Sequence, residues 1–179
     1  MEKKFRARLM EESDIRRALA RIAHEIIERN ANETELCVIG VERRGAPLAE
    51  IIADNIEKFS EIRVIRGTVN ITFYRDDLTT VGADPTIRPG KPACDVTGKT
   101  VILVDDVIYA GRTARAALDA VMPWGRPSRI QLAVLIDRGH RELPIRGDYV
   151  GKNVPTAKSE LIKVHIPPYD DDVNVELYE

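Results

Sequence analysis

Two adjacent carboxylates, Asp105 and Asp106, directly follow the apolar run Val101–Val104, and a short turn then leads to the hydroxyl of Thr113. Ligands of open parallel sheets bind beyond the carboxyl ends of the strands. Carboxylates there accept hydrogen bonds from sugar hydroxyls or hold hydrated Mg²⁺, and turn N–H groups before a helix bind phosphate. The pattern favours a phosphosugar site. The alternative is that the two acids only cap the next helix.

A second turn, Gly40–Gly45, has the glycine spacing of a P-loop and contains Arg43 and Arg44. Ala46 and Pro47 stand where a P-loop needs Lys and Ser or Thr, and no G-x-G-x-x-G occurs. The sequence therefore argues against a nucleoside triphosphatase. The two arginines of this tight turn remain candidates for holding a second anionic group.

Apolar periodicity predicts alternating helices and strands. Such an order predicts an α/β fold whose open, mostly parallel sheet is flanked by helices. Ser13 is the expected N-cap of the first helix, and 74–97 is a long turn-rich stretch that compact domains use for function. The predicted strands are 36–41, one or two within 62–73, 100–105 and 130–136, and the later helices are 46–59 and 113–122.

The composition is that of an ordinary globular protein with a net charge of −2 in 179 residues. The start of the chain has no apolar core of signal-peptide length, and no run approaches about 20 apolar residues. We therefore expect a cytoplasmic protein without a membrane span. The cysteines Cys37 and Cys94 are too far apart to indicate a zinc site or a disulfide framework.

Basic residues are concentrated in two stretches of this acidic chain. Arg17, Arg21 and His24 share one helix face by their spacing, and a second group follows the predicted strand 130–136. If the fold brings them together, they form a positive patch suited to RNA. The alternative is a solvated surface with ion pairs to acidic neighbours. The second group is Arg138, His140, Arg141, Arg146 and Lys152, and the acids are Glu25, Glu142 and Asp148.

Val101–Thr113 resembles the 5-phosphoribosyl-1-pyrophosphate (PRPP) signature of type I phosphoribosyltransferases, in which an apolar strand, two acids and a Gly-x-Thr turn follow one another. Four other segments extend the resemblance to the members of that family that regulate bacterial pyrimidine operons by transcription attenuation and double as uracil phosphoribosyltransferases. The resemblance covers about residues 5 to 178. The segments are Gly40–Gly45, Ile71–Leu78, Asp137–Arg146 and Tyr149–Thr156.

The resemblance implies a type I phosphoribosyltransferase fold in one domain, 1–179, with a small hood formed mainly by 137–179 and the N-terminal segment. It also implies the catalytic roles. Asp105 and Asp106 would hold the ribose hydroxyls and, through water, Mg²⁺. Arg43 and Arg44 would bind pyrophosphate in a loop that often contains a cis non-proline peptide.

Further residues would bind the substrates. Val107 and the Ala110–Thr113 turn, with Gly111 and Arg112, would cradle the 5′-phosphate. Tyr74–Asp77, including Arg75, and the segment after it would form a mobile lid. Uracil would lie among Asp137, Val150 and Tyr149, whose ring would stack on the base.

The resemblance implies an RNA function as well, in which attenuator RNA of pyrimidine messengers binds the basic patch and UMP or UTP raises the affinity. Family members are dimers or larger. The RNA-binding residues would be Arg17, Arg21, His24, Arg138, His140, Arg141, Arg146, Lys152 and Thr156.

One residue departs from the family pattern: Ala110 stands where a hydroxyl residue is usual, which predicts weaker PRPP binding. A regulator with little or no transferase activity is therefore an alternative function. A purine phosphoribosyltransferase is another, because it would share the PRPP turn.

Overall fold

The computed structural model describes residues 4–72, 74–76 and 93–179. These residues form a five-stranded sheet, with helices on both faces, next to a three-stranded sheet. In chain order the elements are β1 (Phe5–Glu11), α1 (Glu12–Arg29), β2 (Glu35–Val41), α2 (Gly45–Phe59), β3 (Arg63–Val69), β4 (Thr100–Ile108), α3 (Arg112–Val121), a 3₁₀ turn (Met122–Trp124), β5 (Arg129–Asp137), β6 (Tyr149–Asn153), β7 (Leu161–His165) and β8 (Asn174–Tyr178).

The larger sheet is parallel and has the order β3-β2-β4-β5-β6. The order reverses between β2 and β4, since β3 lies outside β2 while β5 and β6 extend the other side. Pairing of β2 with β4 runs up to Gly40 and Val104, whereas β4 stays paired with β5 to Ile108. The end of β4 thus projects past β2 at the switch point, where open α/β sheets bind ligands.

The central strands are buried on both faces. On β4, Ile102 and Val104 pack with α1 and α2, while Val101 and Leu103 pack with α3 on the opposite face. All four side chains are at most 1% exposed. Burial on both sides explains the uninterrupted apolar runs of the sequence, and the predicted α/β class is confirmed.

Three element boundaries differ from the predictions. β4 continues past Asp105 to Ile108, so both acids lie within the strand, and the stretch after Ile62 forms a single strand, β3. The prediction of Ser13 as N-cap is wrong, because α1 begins at Glu12. The Asp14 carboxylate instead accepts the N–H of Glu11 at 3.0 Å, which closes the start of the helix.

The two glycines of the Gly40–Gly45 turn are explained by close packing. A Cβ atom on Gly40 would lie 2.5 Å from Cα of Ala46, and one on Gly45 would lie 2.5 Å from the carbonyl oxygen of Val104. Neither separation is possible for a larger residue. The turn therefore lies directly against β4, next to the acid pair.

The smaller sheet is antiparallel and has the order β1-β8-β7. It joins the two ends of the chain, since Lys4 and Glu179 exchange backbone hydrogen bonds of 2.9 and 3.0 Å. Met10, Val164 and Val175 pack into the core shared with α1 and α2. The hood boundary at 137–179 stays a prediction, as does the single domain.

Most of the predicted lid, which begins at Tyr74, lies outside the described residues, because these contain 74–76 and 93–97 but not 77–92. Among the residues that are described, no helix is both long and apolar enough to cross a membrane.

Candidate active site

The acid pair lies at the end of β4, where Asp105 is 8% exposed and Asp106 is half-buried. The N–H of Asp106 donates to Oδ1 of Asp105 at 2.9 Å, and the N–H of Val107 donates to Oδ1 of Asp106 at 2.7 Å. These bonds fix the direction of both carboxylates. The two predicted residues are therefore not caps of α3, which begins only at Arg112, and their role as one binding site stays a prediction.

Burial raises the pKa of both carboxyl groups. For Asp105, loss of water is the largest cause and the negative charge of Asp106 is the next. For Asp106, burial outweighs the hydrogen bonds from its neighbours and the charge of Arg44, which act in the opposite direction. A buried acid pair of this kind gains most from ligands that bring cations or hydroxyl donors. The donor set fits hydrated Mg²⁺, whose remaining ligands would be water and substrate oxygens.

A cavity of about 310 Å³ connects Asp105 with the turn before α3. Gly111, in this turn, has φ = 92°, a left-handed conformation that glycine adopts without strain. The predicted residues Asp105, Val107, Ala110, Gly111, Arg112 and Thr113 line this cavity, together with Arg75. The sequence prediction therefore brought together residues that share one cavity.

The loop between β5 and β6, residues 138–148, lies across the turn before α3. The N–H groups of Glu142 and Leu143 donate to the carbonyl oxygen of Ala110 at 2.9 and 3.0 Å. A Cβ atom on Gly111 would lie 3.4 Å from Cβ of Leu143 and 3.5 Å from Cβ of Ile145. The loop thus fixes the backbone of the turn from outside.

Arg112 is held between two carboxylates. Its Nη1 donates to Asp76 and its Nε to Glu142, both at 2.7 Å, and Asp76 also accepts from Arg115 at 3.2 Å. These pairs connect the first residues of the predicted lid with α3 and with the loop 138–148. Glu142, which also lines the cavity, was not among the predicted site residues.

The Gly40–Gly45 turn contains a cis peptide between Glu42 and Arg43, as the resemblance implies. Arg43 is exposed, while Arg44 is half-buried and donates from Nε and Nη2 to Asp170 at 3.0 and 2.8 Å. The pKa of Arg44 is raised, first by Asp170 and also by the charge of Asp106. A cation therefore stands close to the acid pair at the switch point.

Comparison with known proteins identifies the family. A family model described as a phosphoribosyl transferase domain matches residues 8–172. The bifunctional protein PyrR of Clostridium perfringens is 55% identical to this chain over 98% of both chains. That of Thermus thermophilus is 54% identical over 98% of this chain and 97% of its own. The chain belongs to the PyrR family of phosphoribosyltransferases.

Solved structures agree on the fold. Hypoxanthine phosphoribosyltransferase of Trypanosoma cruzi, in complex with the product IMP, matches with a TM-score of 0.72 at 15% identity and covers 100% of this chain and 93% of its own. A hypoxanthine-guanine phosphoribosyltransferase of Bacillus anthracis matches with 0.69 at 19% identity and 99% coverage of both chains. The predicted type I phosphoribosyltransferase fold of this PyrR-family chain is confirmed.

The residues predicted to surround uracil, Asp137, Tyr149 and Val150, do not line the cavity at the end of β4. Tyr149 is 3% exposed, and its hydroxyl donates to Gln131 at 2.8 Å within a buried polar group that includes Asn30. Its predicted stacking on uracil is therefore wrong. Val150 packs on the opposite face of the sheet, with the α3 core. Asp137 pairs with Arg141 and accepts the N–H of Gly139 at 2.9 Å.

Tyr109 is the aromatic residue that lines the cavity, and sequence reasoning did not single it out. It is 37% exposed. The guanidinium of Arg138 lies 4.3 Å from its ring centroid, and the ring centroid of His140 lies 5.8 Å away in an edge-to-face arrangement. Its position directly before the turn predicted to bind phosphate was a signal that could have revealed it.

Three of the predicted RNA-binding residues, Arg17, Arg21 and Lys152, line one shallow groove between α1 and β6. Arg17 is 77% exposed along its side chain. Arg21 donates to the carbonyl oxygens of Val150 and Gly151 and also pairs with Glu25 at 2.5 Å, as the surface ion-pair alternative expected. Arg17 pairs with Asp14 at 2.6 Å, and Lys152 donates to the carbonyl oxygen of Leu9 at 3.0 Å, so the cations of the groove are exposed but locally paired.

Two other predicted RNA contacts are structural. Arg138 is 6% exposed and donates to Thr156, Ala157 and Glu160, so its role as an RNA contact is contradicted. Arg141 is 18% exposed along its side chain, and its N–H groups donate to Tyr109, Ile145 and Asp137. Internal hydrogen bonds of this kind cannot be read from charge alone.

The remaining predicted RNA residues are spread over the surface. The ring of His24 is exposed and stacks on Phe59 at 4.4 Å, and Arg146 is exposed. Nε2 of His140 contacts the carbonyl oxygen of Thr156. Their arrangement leaves the groove of Arg17, Arg21 and Lys152 as the most compact positive feature of the predicted set.

Proposed function

We propose that this protein transfers ribose 5-phosphate from PRPP to uracil, giving UMP and pyrophosphate, and that it also regulates pyrimidine genes by binding attenuator RNA. The observation that carries the transferase proposal is the cavity at the end of β4, which is lined by Asp105 and by the turn of Ala110–Thr113. Membership of the PyrR family supports both activities.

In the proposed reaction, the bond from the sugar to pyrophosphate breaks as the bond to N1 of uracil forms, and the sugar passes through a cationic, oxocarbenium-like state. The proton of N1 leaves to the released pyrophosphate or to water. Asp105 and Asp106 accept hydrogen bonds from the ribose hydroxyls and place negative potential beside the sugar. Backbone N–H groups of the turn before α3 hold the 5′-phosphate. No protein nucleophile is needed.

Arg43 and Arg44 bind the leaving pyrophosphate and stabilise its charge. Mg²⁺, held through water by Asp105 and Asp106, supplies further charge neutralisation when it is bound. Arg75 and Tyr74, at the root of the lid, shield the reacting carbon from water. The base would pack against Tyr109, whose exposed ring lines the cavity, whereas contacts of the base with Asp137 and Val150 stay sequence-based predictions.

The RNA proposal depends on the groove of Arg17, Arg21 and Lys152, which would contact RNA phosphates. Uridine nucleotides bound in the PRPP cavity raise the RNA affinity, so the same cavity acts as the sensor. The homo-oligomeric state and the cytoplasmic location stay predictions. Light scattering, which measures the molar mass in solution, tests the oligomeric state.

A product assay with labelled uracil, PRPP and Mg²⁺ tests the transferase. UMP formation supports it. No UMP above background favours the alternative of a regulator without transferase activity, for which the missing hydroxyl at Ala110 is the structural reason. Hypoxanthine and guanine are added as competing bases, and a purine preference would favour the purine phosphoribosyltransferase. RNA titrations with and without UMP test the second activity, and equal affinities would exclude the sensor role.

A further inference from the structure

Asp170 lies in the turn between β7 and β8, far along the chain from the site motifs, yet its carboxylate faces Arg44. Nε and Nη2 of Arg44 donate to Oδ2 and Oδ1 of Asp170 at 3.0 and 2.8 Å. Two parallel bonds of this type fix both the plane and the direction of a guanidinium. The C-terminal part of the chain thereby orients a cation beside the acid pair.

The Asp170 carboxylate is itself held in place. Its Oδ2 accepts the N–H of Ile166 at 3.1 Å, and its own N–H donates to the carbonyl oxygen of Ile166 at 3.2 Å. Nδ1 of His165 lies 3.5 Å from Oδ1. The pKa of Asp170 is lowered, mainly by the hydrogen bond from Arg44, so the carboxylate stays charged at neutral pH. The partner of Arg44 is therefore prearranged.

The backbone of Arg44 is fixed on its other side. The next residue, Gly45, lies so close to β4 that a Cβ atom there would be 3.2 Å from Cα of Asp105. Arg44 consequently stands between Asp170 and the acid pair. A guanidinium has about five N–H donors, so the two bonds to Asp170 leave donors for an anion.

We propose that Asp170 is a positioning residue of the transfer reaction, which holds Arg44 in the orientation that binds the pyrophosphate group of PRPP. The inference rests on the proposed transferase function and on the role of Arg44 in it. A side chain that is already oriented loses less conformational entropy when it binds, and this preorganisation improves affinity.

The test compares Asp170→Asn with Asp171→Asn, which removes the same charge from the exposed neighbouring residue. Asn keeps the size of Asp and one acceptor oxygen but cannot form the charged, bidentate pair. We expect the KM for PRPP to rise about tenfold in Asp170→Asn, a value typical for partners of a binding residue. The KM for uracil and the far-UV circular dichroism should not change, and Asp171→Asn should match the wild type.

A double-mutant comparison shows whether Asp170 acts through Arg44. In the Arg44→Gln background, Asp170→Asn should have no further effect on the KM for PRPP. Calorimetric titration with magnesium pyrophosphate makes the same comparison without catalysis. The affinity for pyrophosphate should fall in Asp170→Asn and should not change in Asp171→Asn.

Several outcomes overturn the inference. Equal KM values for PRPP in Asp170→Asn and Asp171→Asn would overturn it. A rise of this KM by about tenfold, caused by Asp170→Asn in the Arg44→Gln background, would overturn it as well. Recovery of Asp170→Asn by raised Mg²⁺ would mean that the carboxylate acts on the metal rather than on Arg44. An inactive wild type would contradict the proposed function instead, and the pyrophosphate titration would still decide the role of Asp170.

Discussion

Asp105 combines a functional position with an unfavourable environment. Burial raises its pKa above the ordinary value of 3.8, so the folded chain binds the proton more strongly than the unfolded chain does. The free energy of unfolding therefore falls as the pH rises above that value, and the penalty is present at neutral pH. In the proposed function this cost is retained because Asp105 would bind the ligand, and a neutral replacement would lose that function.

Asp105→Asn is accordingly expected to raise Tm at about pH 7 in the absence of Mg²⁺, since it removes the buried charge while its side-chain oxygen still accepts the N–H of Asp106. The gain should disappear below about pH 4, where the wild-type carboxyl is protonated in both states. Transferase activity should be lost. Thermal melts across this pH range are the measurement, with Asp171→Asn as the control, and a lower Tm at neutral pH would contradict the argument.

Ala110 offers a second test at the scale of one side chain. Ala110→Thr adds a hydroxyl at the turn, which should lower the KM for PRPP at most about tenfold, corresponding to one hydrogen bond to a charged group of about 1.5 kcal/mol. Ala110→Val has the same shape without the hydroxyl and serves as the control. If both variants behave alike, the missing hydroxyl is not what limits PRPP binding.

The acid pair could be predicted from the sequence because an apolar strand followed by two charges has few structural explanations. Tyr149 could not, although it is adjacent to Val150 in the same motif. Successive residues of a strand face opposite sides of the sheet, so the two side chains cannot both reach one pocket. Which of them faces α1 depends on how β6 pairs with β5, and the residues of β6 alone do not determine that pairing.

At the scale of elements, α1 carries the exposed cations of the proposed RNA groove. Arg17→Ala is expected to weaken RNA binding and to lower the slope of log affinity against log salt by about 0.7–0.9, the value for one phosphate contact. Arg16→Ala is the matched control, because Arg16 is similarly exposed on the same helix but does not line the groove. Filter binding at several salt concentrations measures both slopes, and equal slopes would remove Arg17 from the interface.

Arg141→Ala should leave that salt slope unchanged and instead loosen the loop 138–148, which Arg141 ties to Tyr109 and Ile145. A change in slope equal to that of Arg17→Ala would show that Arg141 reaches the RNA after all.

The elements with a two-sided apolar pattern, β2, β4 and β5, were predicted to within a few residues. β1, β6 and β8 were not, because none of them has a long uninterrupted apolar run. β1 contains the charged residues Arg6, Arg8 and Glu11, and β6 and β8 have only five residues each. Such strands form because a partner strand exists elsewhere in the chain, and that information is non-local.

At the scale of the whole molecule, β8 is the central strand of the smaller sheet and pairs with both β1 and β7. Deletion of 174–179 leaves both neighbours without a partner and removes the buried side chain of Val175 from the core. We expect a lower Tm and loss of transferase activity, because the turn that holds Asp170 is no longer anchored. Removal of Glu179 alone is the control, and unchanged melting of the longer deletion would contradict this role of β8.

The mutual hydrogen bonds of Lys4 and Glu179 bring the first and last described residues side by side on an edge strand pair. A short peptide bridge could therefore join Lys4 to Glu179, and the backbone could instead be opened in an exposed connection far from the acid pair. Such rearranged chains would place an affinity tag or a fluorescent partner wherever an assay needs it, while the order of strands in space stays the same.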